Sequence, residues 1–216
     1  VKITTDNDRV VIYNGTALSN KQLDVLAGDD MVADYSGRNH TLKGGEGNDI
    51  LWVEEGNNIL DGGSGTDFLY GGSGDDILSR GQGNDTLEAG IGDDIYQFSD
   101  GDSHNIISES GGNDRLALTS VDIEKIWLEK QDNSLKVLIR GADDGAVNGS
   151  VLIKNYYQQP ECAIETITAS GYQLSGEKID QMVNLMSAFS SMPGGMPSLQ
   201  DYHWRTQINT LWVAVS

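Results

Sequence analysis

An acidic or amide side chain recurs every nine residues along the middle of this sequence, at Asp49, Asn58, Asp67, Asp76, Asp85 and Asp94. A glycine stands two residues before each, and in five cases another stands four before: Gly45 and Gly47, Gly63 and Gly65, Gly72 and Gly74, Gly81 and Gly83, Gly90 and Gly92. Such a set offers hard oxygen donors, namely carboxylates and main-chain carbonyls that glycine leaves uncovered. Calcium takes six to eight oxygens at roughly 2.3–2.6 Å in flexible geometry and needs no histidine or cysteine. These residues are therefore the candidate ligands of a metal array holding several Ca²⁺ ions, about five. Asn58 offers a neutral oxygen where its neighbours in the series offer charge.

The chemistry expected of an enzyme is missing from the same residues. There is no HExxH helix and no P-loop. Gly62-Gly63-Ser64-Gly65 and Gly71-Gly72-Ser73-Gly74 run on to Thr66 and Asp75, where a nucleophile elbow needs glycine. His40, His104 and His203 are scattered and read as loop or surface residues, and Cys162 stands alone without a base. The adjacent acids Asp75/Asp76 and Asp93/Asp94 could suggest proton transfer, but their place in a glycine turn assigns them to metal or solvent. No catalytic residue is expected.

The elements that would hold such ligands follow from the period. Residues 44–97 read GGEGNDILW, VEEGNNILD, GGSGTDFLY, GGSGDDILS, RGQGNDTLE and AGIGDDIYQ without a slip. Position eight is apolar throughout (Leu51, Leu60, Leu69, Leu78, Leu87, Tyr96), so each repeat is a turn followed by a short strand with one inward side chain. A flexible Gly/Asp-rich linker has no reason to keep glycine, aspartate and an apolar residue in phase. Weak echoes at Asp6-Asn7-Asp8-Arg9-Val10 and Gly28-Asp29-Asp30-Met31-Val32, and a longer one at 36–43, suggest an amino-terminal cap over 1–43 in which Asp30 could add a site.

Tandem nonapeptides of the form GGxGxDxUx mark the calcium-binding repeats of RTX (repeats-in-toxin) proteins, and this block resembles them. The resemblance implies an all-β fold: a calcium-bound, right-handed parallel β-roll. With two repeats per turn, Asp49, Asp67 and Asp85 form one column and Asn58, Asp76 and Asp94 the other. It continues through GDDIYQFSDGDSHNIISESGGNDRLAL (residues 92–118, with Asp102 replacing a usual glycine), IWLEKQDNSLKVLI, SVLIKNYYQQP and IETITASGYQLSGEKIDQMVNLM, and so covers roughly residues 44–190. Asp114, in this flank, is a further possible ligand. Large RTX toxins, multifunctional autoprocessing ones among them, share this arrangement. The likeness implies a bacterial, extracellular module that threads a type I secretion apparatus unfolded and meets host cells through its parent protein. An RTX adhesin, or an RTX hydrolase with its catalytic domain upstream, is the alternative.

Beyond the block, residues 98–174 read as a β-rich flank that stacks onto the last turn. Residues 126–128 and 135–139 form a hairpin about Gln131-Asp132-Asn133-Ser134, and residues 151–157 a further strand. Ile179, Met182, Val183, Met186 and Phe189 recur at helical spacing after Ser175, a short amphipathic helix with methionine as core filler. The tail within 175–216 resembles an uncleaved type I secretion signal, although residues 211–215 also suit a terminal strand.

Composition agrees with metal rather than nucleic acid. The net charge is −19, with 12 acids and only Arg80 as a base between residues 44 and 97, so phosphates and anionic lipid are repelled. A single cysteine excludes an internal disulfide. No basic-then-apolar leader or run of about 18 apolar residues occurs, which argues against a Sec signal or a membrane span. From Val1 the chain reads as part of a longer protein. One large apolar side chain per repeat cannot offset ordering costs of about 1–2 kcal/mol per residue, so the block should be disordered without calcium.

Overall fold

The computed structural model describes residues 4–13, 22–99, 101, 103–141, 146–190 and 202–215, excepting the side chains of residues 189, 190 and 202–204. A nine-residue repeat leaves room for only a few extended residues after its turn, and the strands are correspondingly short. In chain order they are β1 (Arg9–Tyr13), β2 (Gln22–Asp24), β3 (Met31–Tyr35), β4 (Thr41–Glu46), β5 (Ile50–Val53), β6 (Ile59–Ser64), β7 (Phe68–Tyr70), β8 (Ile77–Ser79), β9 (Thr86–Glu88), β10 (Ile95–Ser99), β11 (His104–Ser108) and β12 (Arg115–Thr119). Odd-numbered strands stack in parallel in one sheet and even-numbered strands in the other. The chain is thus mostly β, a parallel β-solenoid consistent with a β-roll.

The inward residue of each strand meets its counterpart one turn on. Val10, Val32, Leu51, Leu69, Leu87 and Ile107 are in register in the first sheet, and Leu23, Leu42, Leu60, Leu78, Tyr96 and Leu116 in the second. All are buried, so the core is a double file of side chains between the sheets. The stacking extends past residues 44–97 in both directions. Equivalent residues lie 18 apart within the block, 19 apart between Asp30 and Asp49, and 20 apart between Asp85 and Asn105, so the flanking turns absorb one or two extra residues.

Glycine is required where turns stack. Gly65 has φ +140, and a β-carbon there would lie 1.8 Å from the Gly47 carbonyl oxygen of the preceding turn. The same position one turn further on, Gly83, would clash at 1.7 Å with Gly65. Any side chain here would force the turns apart.

The flank closes the open end of both sheets. β13 (Ile126–Gln131) and β14 (Ser134–Arg140) form the expected hairpin, with Asp132 at φ 54 in its turn. β15 (Val147–Ile153) pairs antiparallel with β14 and parallel with β11. The strand expected over 151–157 therefore starts earlier and stops at Ile153. Beyond it Asn155 takes φ 56 and the chain turns. β16 (Thr166–Ala169) continues the second sheet from β12, and β17 (Tyr172–Ser175) turns back on it. Helix α1 (Glu177–Ser190) follows, burying Ile179, Met182, Val183 and Met186 in the core, while the Phe189 side chain lies outside the described residues.

The tail holds an element that the sequence did not suggest, helix α2 (Tyr202–Asn209), which leads to a two-residue strand, β18 (Val213–Ala214), at the edge of β17. Ile208 and Trp212 are buried, and Arg205 pairs with Glu124.

Candidate metal centres

The position-six residues stack into two ladders. In the first column the main-chain N–H of Asp30 donates to Oδ1 of Asp49 at 2.8 Å, that of Asp49 to Asp67 at 2.8 Å, that of Asp67 to Asp85 at 2.9 Å, and that of Asp85 to Asn105 at 2.8 Å. In the second, His40 donates to Asn58 at 2.9 Å, Asn58 to Asp76 at 2.6 Å, Asp76 to Asp94 at 2.7 Å, Asp94 to Asp114 at 2.9 Å, and Asp114 to Glu165 at 2.7 Å. Each strand thus begins from a carboxylate pinned to the turn before it.

This leaves one oxygen per aspartate with nothing to accept. Oδ2 of Asp30, Asp49, Asp67, Asp76, Asp85, Asp94 and Asp114 is buried and lacks any hydrogen-bond donor. All seven residues are no more than 2% exposed. A repeated orphan carboxylate oxygen is costly unless a cation satisfies it. The leading glycine of a repeat faces that oxygen. A β-carbon on Gly44 would lie 2.3 Å from Asp49 Oδ2 and 2.4 Å from the Gly62 carbonyl oxygen; on Gly62 it would lie 2.4 Å from Asp67 Oδ2, and on Gly71 2.5 Å from Asp76 Oδ2. Gly44, Gly62 and Gly71 thus keep clear an oxygen-lined space suited to a hard cation.

Gly45, Gly63, Gly72, Gly81 and Gly90, with Gly47, Gly65, Gly74, Gly83 and Gly92, all have positive φ and form the tight turns around that space. Several of their neighbours' carbonyls are used between turns: Gly65 N–H donates to the Gln82 carbonyl at 2.8 Å, and Gln82 N–H to that of Gly63 at 2.6 Å.

Burial in a cluster of like charges shifts these acids. Desolvation raises Asp49 to about 6, Asp67, Asp76 and Asp94 to about 7, and Asp114 to about 8. Neighbouring carboxylates add to the rise, while the hydrogen bond each Oδ1 accepts opposes it. Asp30 and Asp85 also rise through desolvation, and Arg80 pulls Asp85 back.

The columns end on side chains that use up the free oxygen or replace the acid. Asn58 accepts from His40 through Oδ1, while its Nδ2 donates to the Gly56 carbonyl at 2.7 Å, so no atom is orphaned. Asn105 ends the first column likewise, its Nδ2 donating to Ser103 Oγ at 3.1 Å. There Arg80 holds the leading position, buried, with its guanidinium donating to Ser103 Oγ and the Ser99 carbonyl at 2.6 Å each. His40 is no surface residue, contrary to expectation. It is buried in the ladder slot above Asn58 and pairs with Asp34, because the repeat places it where an aspartate would stand. His104 remains on the surface, its N–H donating to Asn84 Oδ1 at 2.7 Å, and the side chain of His203 lies outside the described residues. Cys162 is buried, its thiol donating to Gln159 Oε1 at 3.3 Å and pushed up by desolvation.

The adjacent acids are divided rather than paired. Asp75 and Asp93 lie outside, where Asp75 Oδ1 accepts from Asp93 N–H at 3.0 Å in a separate exposed ladder. Asp76 and Asp94 are inside. What sequence reasoning missed is Glu109, whose leading position before Gly111, Gly112 and Asp114 is hidden by an 11-residue interruption, residues 98–108, in the nine-residue period.

Fold and site together define a cation-binding parallel solenoid. A family model described as the RTX calcium-binding nonapeptide repeat (4 copies) matches residues 43–78 and 70–104. Residues 43–104 are therefore RTX calcium-binding repeats of the hemolysin type, a repeat class typical of secreted bacterial proteins. The repeats imply that the chain binds calcium.

Proposed function

We propose that this chain is the calcium-dependent folding and type I secretion module at the carboxy-terminal end of a large secreted RTX toxin. The reading rests on seven buried aspartate oxygens without donors, arrayed in two columns. Consecutive acids make five pairs: Asp30/Asp49, Asp49/Asp67, Asp67/Asp85, Asp76/Asp94 and Asp94/Asp114. Each pair, with main-chain carbonyls of its turns, forms one Ca²⁺ site. Without the ion, desolvated carboxylates repel one another and the chain stays expanded, suited to threading a secretion channel. At extracellular calcium the columns fill, the two files of apolar side chains register, and the flank caps the stack. Modules outside the cell can work with sites of about 10⁻⁴–10⁻³ M, which makes calcium a compartment signal.

The tail is the proposed export signal, and its short strand pairs with β17 once the chain is outside. The toxin assignment is supported by the likeness of the flank. An adhesin or hydrolase bearing the same module would differ in its other domains. Catalysis is assigned to none of these residues.

A calcium titration followed by far-UV circular dichroism tests the reading, with magnesium as control. A cooperative gain of β-structure at submillimolar to millimolar calcium, absent with magnesium, is expected. Full β-structure in excess chelator would refute it.

A further inference from the structure

The last acid pair of the second column differs from the other four. Asp94, Glu109 and Asp114 each offer a carboxylate oxygen within 4.8 Å of the others. All three are at least nine-tenths buried, and Oδ2 of both aspartates has no donor. Among the described residues none of the three forms an ion pair with a lysine or arginine. Glu109 takes the leading position of its repeat, where Gly44, Gly62 and Gly71 have no side chain and Arg80 carries a positive one.

Glu109 is held in place. Its Oε1 accepts from the N–H groups of Ser110 at 2.6 Å and Gly111 at 3.2 Å, and its Oε2 accepts from the Tyr96 hydroxyl. Tyr96 is fixed in turn by the Ala89 N–H, which donates to its oxygen at 2.9 Å. Oε1 accepts twice, so it is Oε2, which accepts once, that retains a lone pair for a cation. The site thus has three carboxyl groups on a rigid frame, against two in the other pairs, and cation affinity grows with the number of acid ligands and with rigidity.

We propose that Asp94, Glu109 and Asp114 form a three-carboxylate cation site, the tightest of the array, which joins the last nonapeptide turn to the flank. It rests on the calcium reading above and adds a third acid ligand with a strong preference for trivalent hard ions. Calcium is its natural occupant, and terbium(III) is the probe that reports it.

The experiment is terbium luminescence, sensitised through the protein's aromatic residues, on the full chain. It is read beside calcium-dependent circular dichroism for the wild type, E109Q, E109D and a charge control, E129Q. The wild type and E129Q should bind a first equivalent roughly tenfold more tightly than the rest. E109Q should lose that phase yet fold in saturating calcium, and E109D should keep more of it. If E109Q alone fails to fold, a tight phase in E109D supports the site. An unchanged first equivalent in E109Q overturns it. So does failure of both variants to fold in saturating calcium, which would make Glu109 a packing residue. Absence of any calcium response in the wild type instead refutes the folding module itself.

Discussion

The two columns of the roll use the same nonapeptide and end in opposite ways. The first runs through Asp30, Asp49, Asp67 and Asp85 and closes on Asn105, with the Arg80 guanidinium beside it. The second opens on His40 and Asn58, gathers acid through Asp76, Asp94 and Asp114, and closes with Glu109 and Glu165. A column of buried carboxylates can therefore be terminated by removing charge or by concentrating it. In the first column a built-in cation and a carboxamide take the places of glycine and acid at the final turn. In the second, three carboxyl groups gather at the final turn.

The largest effect that tests this contrast is loss of a shared ligand. Asp67 belongs to two acid pairs and Asp76 to one. At a tenfold excess of calcium over Kd each site contributes about 1.4 kcal/mol, so D67N should cost about 3 kcal/mol of calcium-dependent stability and D76N about half that. Chemical denaturation at fixed calcium measures both, and equal losses would contradict the pairing.

An intermediate effect comes from pH. The buried acids lie at about 6 to 8 instead of 3.8, so between those values the folded chain holds protons that the unfolded chain has released. The calcium-free roll therefore loses stability as pH rises through this window and regains it as pH falls. In chelator, β-structure should increase on acidification from about pH 8 to about pH 5, while the calcium midpoint moves upward because the ion must displace protons. A midpoint constant across that range would break the argument.

The smallest effect is expected where the second column begins. N58D removes the Nδ2 donation to the Gly56 carbonyl and supplies a new orphan oxygen next to Asp76. Equilibrium binding should show about one additional calcium ion, and stability in chelator should fall by about 1 kcal/mol. An unchanged ion count would show that the neutral side chain at this position does not limit the number of ions bound.

Much of this was legible in the chain itself. The nine-residue phase of glycine, aspartate and leucine dictated turn, ligand and inward side chain, because a strand of three residues can bury only one. The likeness to RTX repeats then supplied two repeats per turn, and with them the columns Asp49–Asp67–Asp85 and Asn58–Asp76–Asp94. The period failed where extra residues interrupt it. Asp30, His40, Asn105 and Asp114 take up the same ladder positions only because parallel pairing absorbs those residues in the turns.

Sequence alone also determined that the chain has no internal disulfide and carries an excess of acid, since both follow from composition. Tertiary structure placed the position-six acid of each adjacent pair, Asp76 or Asp94, inside and its neighbour outside. It also decided that Glu109 meets Asp94 and Asp114, and that Arg80 stands beside Asp85. The meeting of Asp94 with Glu109 and Asp114 depends on the stacking of turns 20 residues apart, a distance at which local spacing carries no information.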